Sequence, residues 1–188
     1  RHYTQPMKVL RDLAKYAQKK GLDVIPKLNF SRGEINTHNH WMRAEGETWY
    51  EKFEDKAYFD LAFDLIDQCI AACNPKKYFH IGMDEDHDRS YTQYADCIKL
   101  LRKGLKERGL KTVIWNDSAI NYASGFIYVE KSLFAEDKIP KDVTQILWTY
   151  RRAPVKECNR IGGKGFTLWG APTAQDVKIA TKFRNAVL

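Results

Sequence analysis

The chain has 188 residues, enough for one sizeable core and short for two domains. Hydrophobic residues make up 44% and charged residues 29%, the balance of an ordinary globular protein, and no run approaches the ~18 apolar residues of a membrane span. The formal charge of +7 comes from 31 basic and 24 acidic residues, yet cations such as Lys99, Arg102, Lys103, Lys106 and Arg108 are spread among acids along a helical pattern. That is a solvated helix face; with no Lys/Arg block interleaved with aromatics, a nucleic-acid partner is not indicated.

Residues Arg1 to Pro6 are polar and lead straight into a helix, so they do not resemble a signal peptide and read like the middle of a longer gene. From Pro6 to Lys20, the residues Val9, Leu10, Leu13, Tyr16 and Ala17 keep an i, i+3, i+4, i+7 rhythm, with Gly21 at the exit. Leu22 to Leu28 is a short β-branched run that predicts a strand. Asn29 to about Lys52 is a long polar stretch carrying His38, His40, Trp41 and Trp49, and loops of that length in a compact domain are functional or mobile. A helix follows from about Asp55 to Ala72, with Cys69 and Cys73 four apart on one apolar face; Asn74-Pro75 ends it.

Tyr78 to Gly82 then predicts a strand, Ser90 to Arg108 a helix stopped by Gly109, and Thr112 to Trp115 a strand. Ala119 to Pro140 fits neither period. Thr144 to Trp148 predicts a strand, Val155 to Ile161 a short helix, Phe166 to Trp169 a strand, and Thr173 to Val187 a helix. The four cysteines, Cys69, Cys73, Cys97 and Cys158, form neither a C-x-x-C pair nor a regular framework, so neither zinc nor a disulfide scaffold is indicated and the compartment is left open.

Apolar strands separated by helices imply a parallel sheet, either doubly wound or a (β/α)8 barrel. No Gly-rich phosphate loop follows any strand, which weakens the doubly wound, nucleotide-binding option. The five strand ends carry Asn29-Phe30, Asp84-Glu85, Trp115-Asn116-Asp117, Trp148-Thr149-Tyr150 and Trp169-Gly170, a polar and aromatic rim of the kind a TIM-barrel active site uses. A complete barrel needs eight strands and ~250 residues. The expectation is therefore an incomplete α/β barrel of TIM type filling residues 1–188 as one partial catalytic domain, with about five of eight strands, the others lying mainly before Arg1 and one after Leu188.

Asp84-Glu85-Asp86, with His87 and Asp88 beyond, is the densest acidic cluster, placed where a strand bearing His80 meets a loop. It can be a solvated turn, a divalent-metal site, or a general acid with a neighbouring carboxylate. The spacing matches neither a calcium loop nor H-E-x-x-H, which disfavours metal; paired carboxylates are the equipment of glycoside hydrolysis.

His80-Ile81-Gly82-Met83-Asp84-Glu85 resembles the H-x-G-x-D-E signature of the family 20 glycoside hydrolases, the β-N-acetylhexosaminidases. Tyr3-Thr4, the helix with Tyr16-Ala17, and Gly21 to Pro26 are similar to that family's run into its third barrel strand, and Trp115, Trp148 with Tyr150, and Trp169 resemble its later strand ends. The resemblance implies a retaining, substrate-assisted hydrolase of terminal N-acetylhexosamine on a glycan or glycoconjugate, with no cofactor. Glu85 would be the general acid and Asp84 would orient the acetamido group; His80, Trp115, Asp117, Trp148, Tyr150, Trp169 and His40 would be the substrate-binding candidates. For each tryptophan, core packing competes with ligand contact. The family has Pro-Glu and then Pro-Gly-His after its third strand; the run here, Pro26-Lys27-Leu28-Asn29-Phe30-Ser31-Arg32-Gly33-Glu34, is without that triplet, with His38 or His40 as candidates for the histidine. The rivals are a carbohydrate-binding barrel that has lost catalysis and a doubly wound domain binding a phosphorylated ligand.

Overall fold

The structure, a computed structural model, describes residues 6–32, 56–120 and 127–188. The order of elements is α1 (Met7–Lys19), α2 (Lys56–Cys73), β1 (Tyr78–His80), α3 (Tyr91–Glu107), β2 (Lys111–Asn116), α4 (Ile127–Lys138), β3 (Thr144–Thr149), α5 (Val155–Gly163), β4 (Leu168–Pro172) and α6 (Val177–Val187). Helix α4 occupies the stretch in which neither period was visible. Its side chains have little one-sided character, and Lys131, Ser132 and Glu136 are buried polar residues where a core-facing stripe would be apolar.

The four strands are parallel and lie side by side in sequence order, β1-β2-β3-β4. A doubly wound sheet reverses its order at a switch point, and none occurs among the described strands. The expected strand at Leu22–Leu28 is a single parallel bridge, Lys27 opposite His80. His80 N donates to Pro26 O at 2.9 Å and Leu28 N donates to His80 O at 3.1 Å. One step earlier the pairing needs an N–H from residue 26, and proline has none, so the ladder starts late.

Strand alternation divides the sheet into two faces. Phe79, Ile81, Ile114 and Leu147 point to the face covered by helices, where they join Ala62 and Ile66 of α2, Ile98, Leu101 and Leu105 of α3, Ile161 of α5 and Phe183 of α6 in the main core. Register places Lys27, His80 and Val113 on the opposite face, and Trp115, Ile146 and Trp169 one step further along it. The helix ends use the signals in the sequence: Ser90 and Gln93 close a capping box on α3, and Asp176 caps α6 through Lys178 N and Ile179 N. Helix α1 departs from its pattern, because only Ala14 is buried while Val9, Leu13 and Tyr16 lie exposed. No helix among the described residues is long and apolar enough to cross a membrane.

Candidate active site

After His80 the chain leaves the sheet through a backbone that side chains resist: Gly82, Met83 and Glu85 have φ of 73°, 76° and 52°. For Met83 and Glu85 this left-handed region is unfavourable and must be held by neighbours. At Gly82 there is no alternative to glycine, since a Cβ there would stand 2.1 Å from Asn29 Oδ1.

The neighbours on both sides supply the restraint. Asn29, at the end of the bridged segment, accepts from Met83 N at 3.1 Å with Oδ1 and donates from Nδ2 to Asp84 Oδ1 at 2.9 Å. Asp117, just past β2, accepts from Glu85 N at 2.9 Å. Tyr94 of α3 donates its hydroxyl to Met83 O at 2.9 Å. Behind the turn, Asp86 is fully buried and ion-paired with buried Arg89 at 2.7 Å, while Lys131 Nζ donates to Asp86 O at 2.8 Å. Asp84 and Asp86 are thus held through their side chains and Glu85 through its backbone N–H, each from an adjacent element.

Consecutive residues on a strand point to opposite sides, but the left-handed turn rotates Asp84 and Glu85 toward the same space. Both line a cavity of about 410 Å³ together with Lys27, Trp115, Trp148, Tyr150 and Ala171. That is within the range of small-ligand sites, and the aromatic walls with few polar groups are typical of them. A larger hollow of about 450 Å³ between β4 and α6 is lined mostly by apolar groups and holds none of the acidic residues.

The other candidates fall elsewhere. His80 is buried against Trp115, ring centroids 4.9 Å apart, and behind the cavity wall. Its Nδ1 accepts from Gly82 N at 2.9 Å, and burial, with Lys27 adding to it, pushes its pKa down to about 3. Asp117 has no exposed surface; both carboxyl oxygens are engaged, by Glu85 N and by Trp148 Nε1 at 2.6 Å. Complete burial, reinforced by Asp84 and Glu85, raises its pKa to about 8 against the two hydrogen bonds. Asp117 therefore stands behind Trp148 as its support. Trp169 packs edge-on against Tyr78 at 4.9 Å, on the same face but one step below cavity-lining Ala171. His40 and His38 lie outside the described residues. Asn29 and Lys27 were not among the site candidates; the sequence signal for both was their place at the end of a strand-like run that leads to the same rim.

No family model matches the sequence, and no curated protein does. Solved structures do match. The β-N-acetylhexosaminidase of glycoside hydrolase family 20 from Streptomyces coelicolor superposes with a TM-score of 0.61 at 18% identity, over 91% of this chain and 34% of that one. Dispersin B gives a TM-score of 0.57 at 17% identity, over 96% of this chain and 58% of its own. The exo-β-N-acetylglucosaminidase from Vibrio harveyi, solved with N-acetylglucosamine, gives 0.57 at 14% identity, over 89% of this chain and 28% of that one. The fold resembles that of family 20 glycoside hydrolases. The chain spans less than two thirds of each of these relatives, so the likeness concerns a shared part of the fold.

Proposed function

We propose that the chain is most of a family 20-type catalytic barrel, the segment around Lys27 and β1 to β4 supplying five of eight strands. Its reaction is the removal of terminal N-acetylhexosamine from a glycan. The observation that carries this reading is that Asp84 and Glu85, adjacent in sequence, line one cavity with Trp115, Trp148 and Tyr150.

Glu85, as the acid, donates its proton to the glycosidic oxygen while the bond from that oxygen to the anomeric carbon breaks. The substrate's own acetamido oxygen attacks the anomeric carbon from the opposite side, forming an oxazolinium ring. Asp84 accepts a hydrogen bond from the acetamido N–H and offsets the positive charge that develops there; one of its oxygens is held by Asn29, which leaves the other for this task. Water, deprotonated by the Glu85 carboxylate, then opens the ring and restores the original anomeric configuration. The protein supplies no nucleophile. Trp115 and Trp148 offer flat apolar walls to the sugar, and Tyr150, which lines the same cavity, donates its hydroxyl to the acetamido oxygen in this reading.

In the full-length protein, hydrolysis of an aryl N-acetylglucosaminide should fall on the order of 10²- to 10⁴-fold in Glu85→Gln, the usual scale for a lost general acid. A variant that keeps its rate removes Glu85 from this role. A protein that binds the sugar and never cleaves it is a carbohydrate-recognition barrel instead.

A further inference from the structure

Among the described residues lining the cavity Lys27 is the one cation, and its two charged neighbours there are acids. Its backbone is fixed by the bridge to His80, and its side chain stands on the same face as that imidazole. The ammonium lies 5.4 Å from the Trp115 ring centroid, and it has no ion-pair partner among the described residues. A lysine lying along apolar surface keeps its charged head toward water. This one holds it against the aromatic wall of a carbohydrate-sized cavity.

We propose that Lys27 is a specificity-determining residue that binds an anionic group, sulfate or carboxylate, carried by the glycan. The proposal rests on the carbohydrate reading of the cavity and adds the substrate's charge to it. An anion entering the site also meets Asp84 and Glu85. Neither carboxylate is ion-paired with the Lys27 ammonium, which stands over the Trp115 ring, so an anion can meet the cation on the aromatic wall and away from the acidic turn. Because the ammonium is exposed, solvent and salt screen its attraction and the preference it confers is several-fold rather than many orders of magnitude.

The test compares phenyl β-N-acetylglucosaminide with two anionic versions, one bearing a 6-O-sulfate on the sugar and one a carboxylate on the phenyl aglycone. With the full-length protein at low salt, at least one anionic glycoside should be preferred about fivefold in kcat/KM. The arm that shows the preference tells whether the sugar or its neighbour carries the anion. The ratio should collapse toward one in Lys27→Met, persist in Lys27→Arg, and shrink at ~1 M salt. Lack of preference in both arms, or a preference that survives Lys27→Met, overturns the proposal. Should no glycoside be cleaved, the hydrolase reading fails separately, and the same ratio read from binding by tryptophan fluorescence still decides on Lys27. Absence of binding by all three glycosides overturns both.

Discussion

The two faces of the sheet are made from different chemistry. The helix-covered face carries Phe79, Ile81, Ile114 and Leu147, each at most 2% exposed. Beside buried His80, Val113 and Thr144, the opposite face carries Tyr78, Trp115, Ile146, Trp148 and Trp169, all half-buried, and it ends at the acidic turn. The first face is closed by its apolar groups and by the buried polar side chains Thr112, Asn116 and Gln145, and among the described residues it holds no indole or phenol group. The second face keeps indole and phenol groups, whose flat apolar bodies and polar edges suit a ligand that is partly wet.

Truncation on each face should separate the two roles. Phe79→Ala leaves a cavity among close-packed helices and should destabilise the protein by about 3–5 kcal/mol in urea unfolding. Trp148→Ala removes a half-buried ring and should lower stability by about 2 kcal/mol, from the area it covers. Its larger consequence should be a loss of sugar affinity of about tenfold or more, read by titration with N-acetylglucosamine. Equal stability losses with unchanged affinity would erase the functional difference between the faces.

A second contrast lies beneath the turn. Asp84 and Glu85 reach the cavity, while Asp86, next in sequence, faces inward to Arg89, whose Nη1 also donates to Phe30 O at 2.7 Å. Arg89→Met leaves a buried carboxylate without its main counter-charge and should lower stability by about 3–5 kcal/mol. Thermal unfolding of the variant checks this. A loss under about 1 kcal/mol would mean that Lys131 alone neutralises Asp86.

Much of this was legible because it is local. The helices around Val9, Phe59, Ile98 and Val177 and the four regular strands follow from periodicity and from the signals at Gly21, Asn74-Pro75, Ser90 and Gly109. Convergence of Glu85, Trp115 and Trp148 follows from parallel strands ending at one rim. What periodicity missed depends on contacts distant in sequence. Helix α4 buries Lys131 and Glu136 against partners from other elements, Asp86 for the first and Arg160, at 3.0 Å, for the second, and so has no apolar stripe to read. The first strand shrank because of one absent N–H at Pro26. Asp117 looked like a rim residue, and only the three-dimensional path shows that its carboxyl turns inward to hold Glu85 N and Trp148 Nε1.

That inward turn makes the smallest and most specific prediction. Asp117 has an ordinary carboxylate pKa of 3.8 when unfolded and about 8 when folded, so between those values the native state keeps a proton that the unfolded chain has lost. Stability therefore falls as pH rises through this interval. His80 acts in the opposite sense: its pKa drops from 6.5 to about 3 on folding, so between pH 3 and 6.5 the unfolded chain holds the extra proton and stability rises with pH. The two slopes oppose each other from about pH 4 to 6.5, and above that Asp117 acts without His80. From pH 6.5 to 8 the wild type should lose stability by up to about 1.4 kcal/mol per pH unit, the limit for one proton. Asp117→Asn should be flatter in that window. It should also be about 1–3 kcal/mol less stable at pH 6, because an amide offers only one acceptor to the two N–H groups that the carboxyl served. If the variant keeps the wild-type slope, Asp117 is not the group that holds the proton.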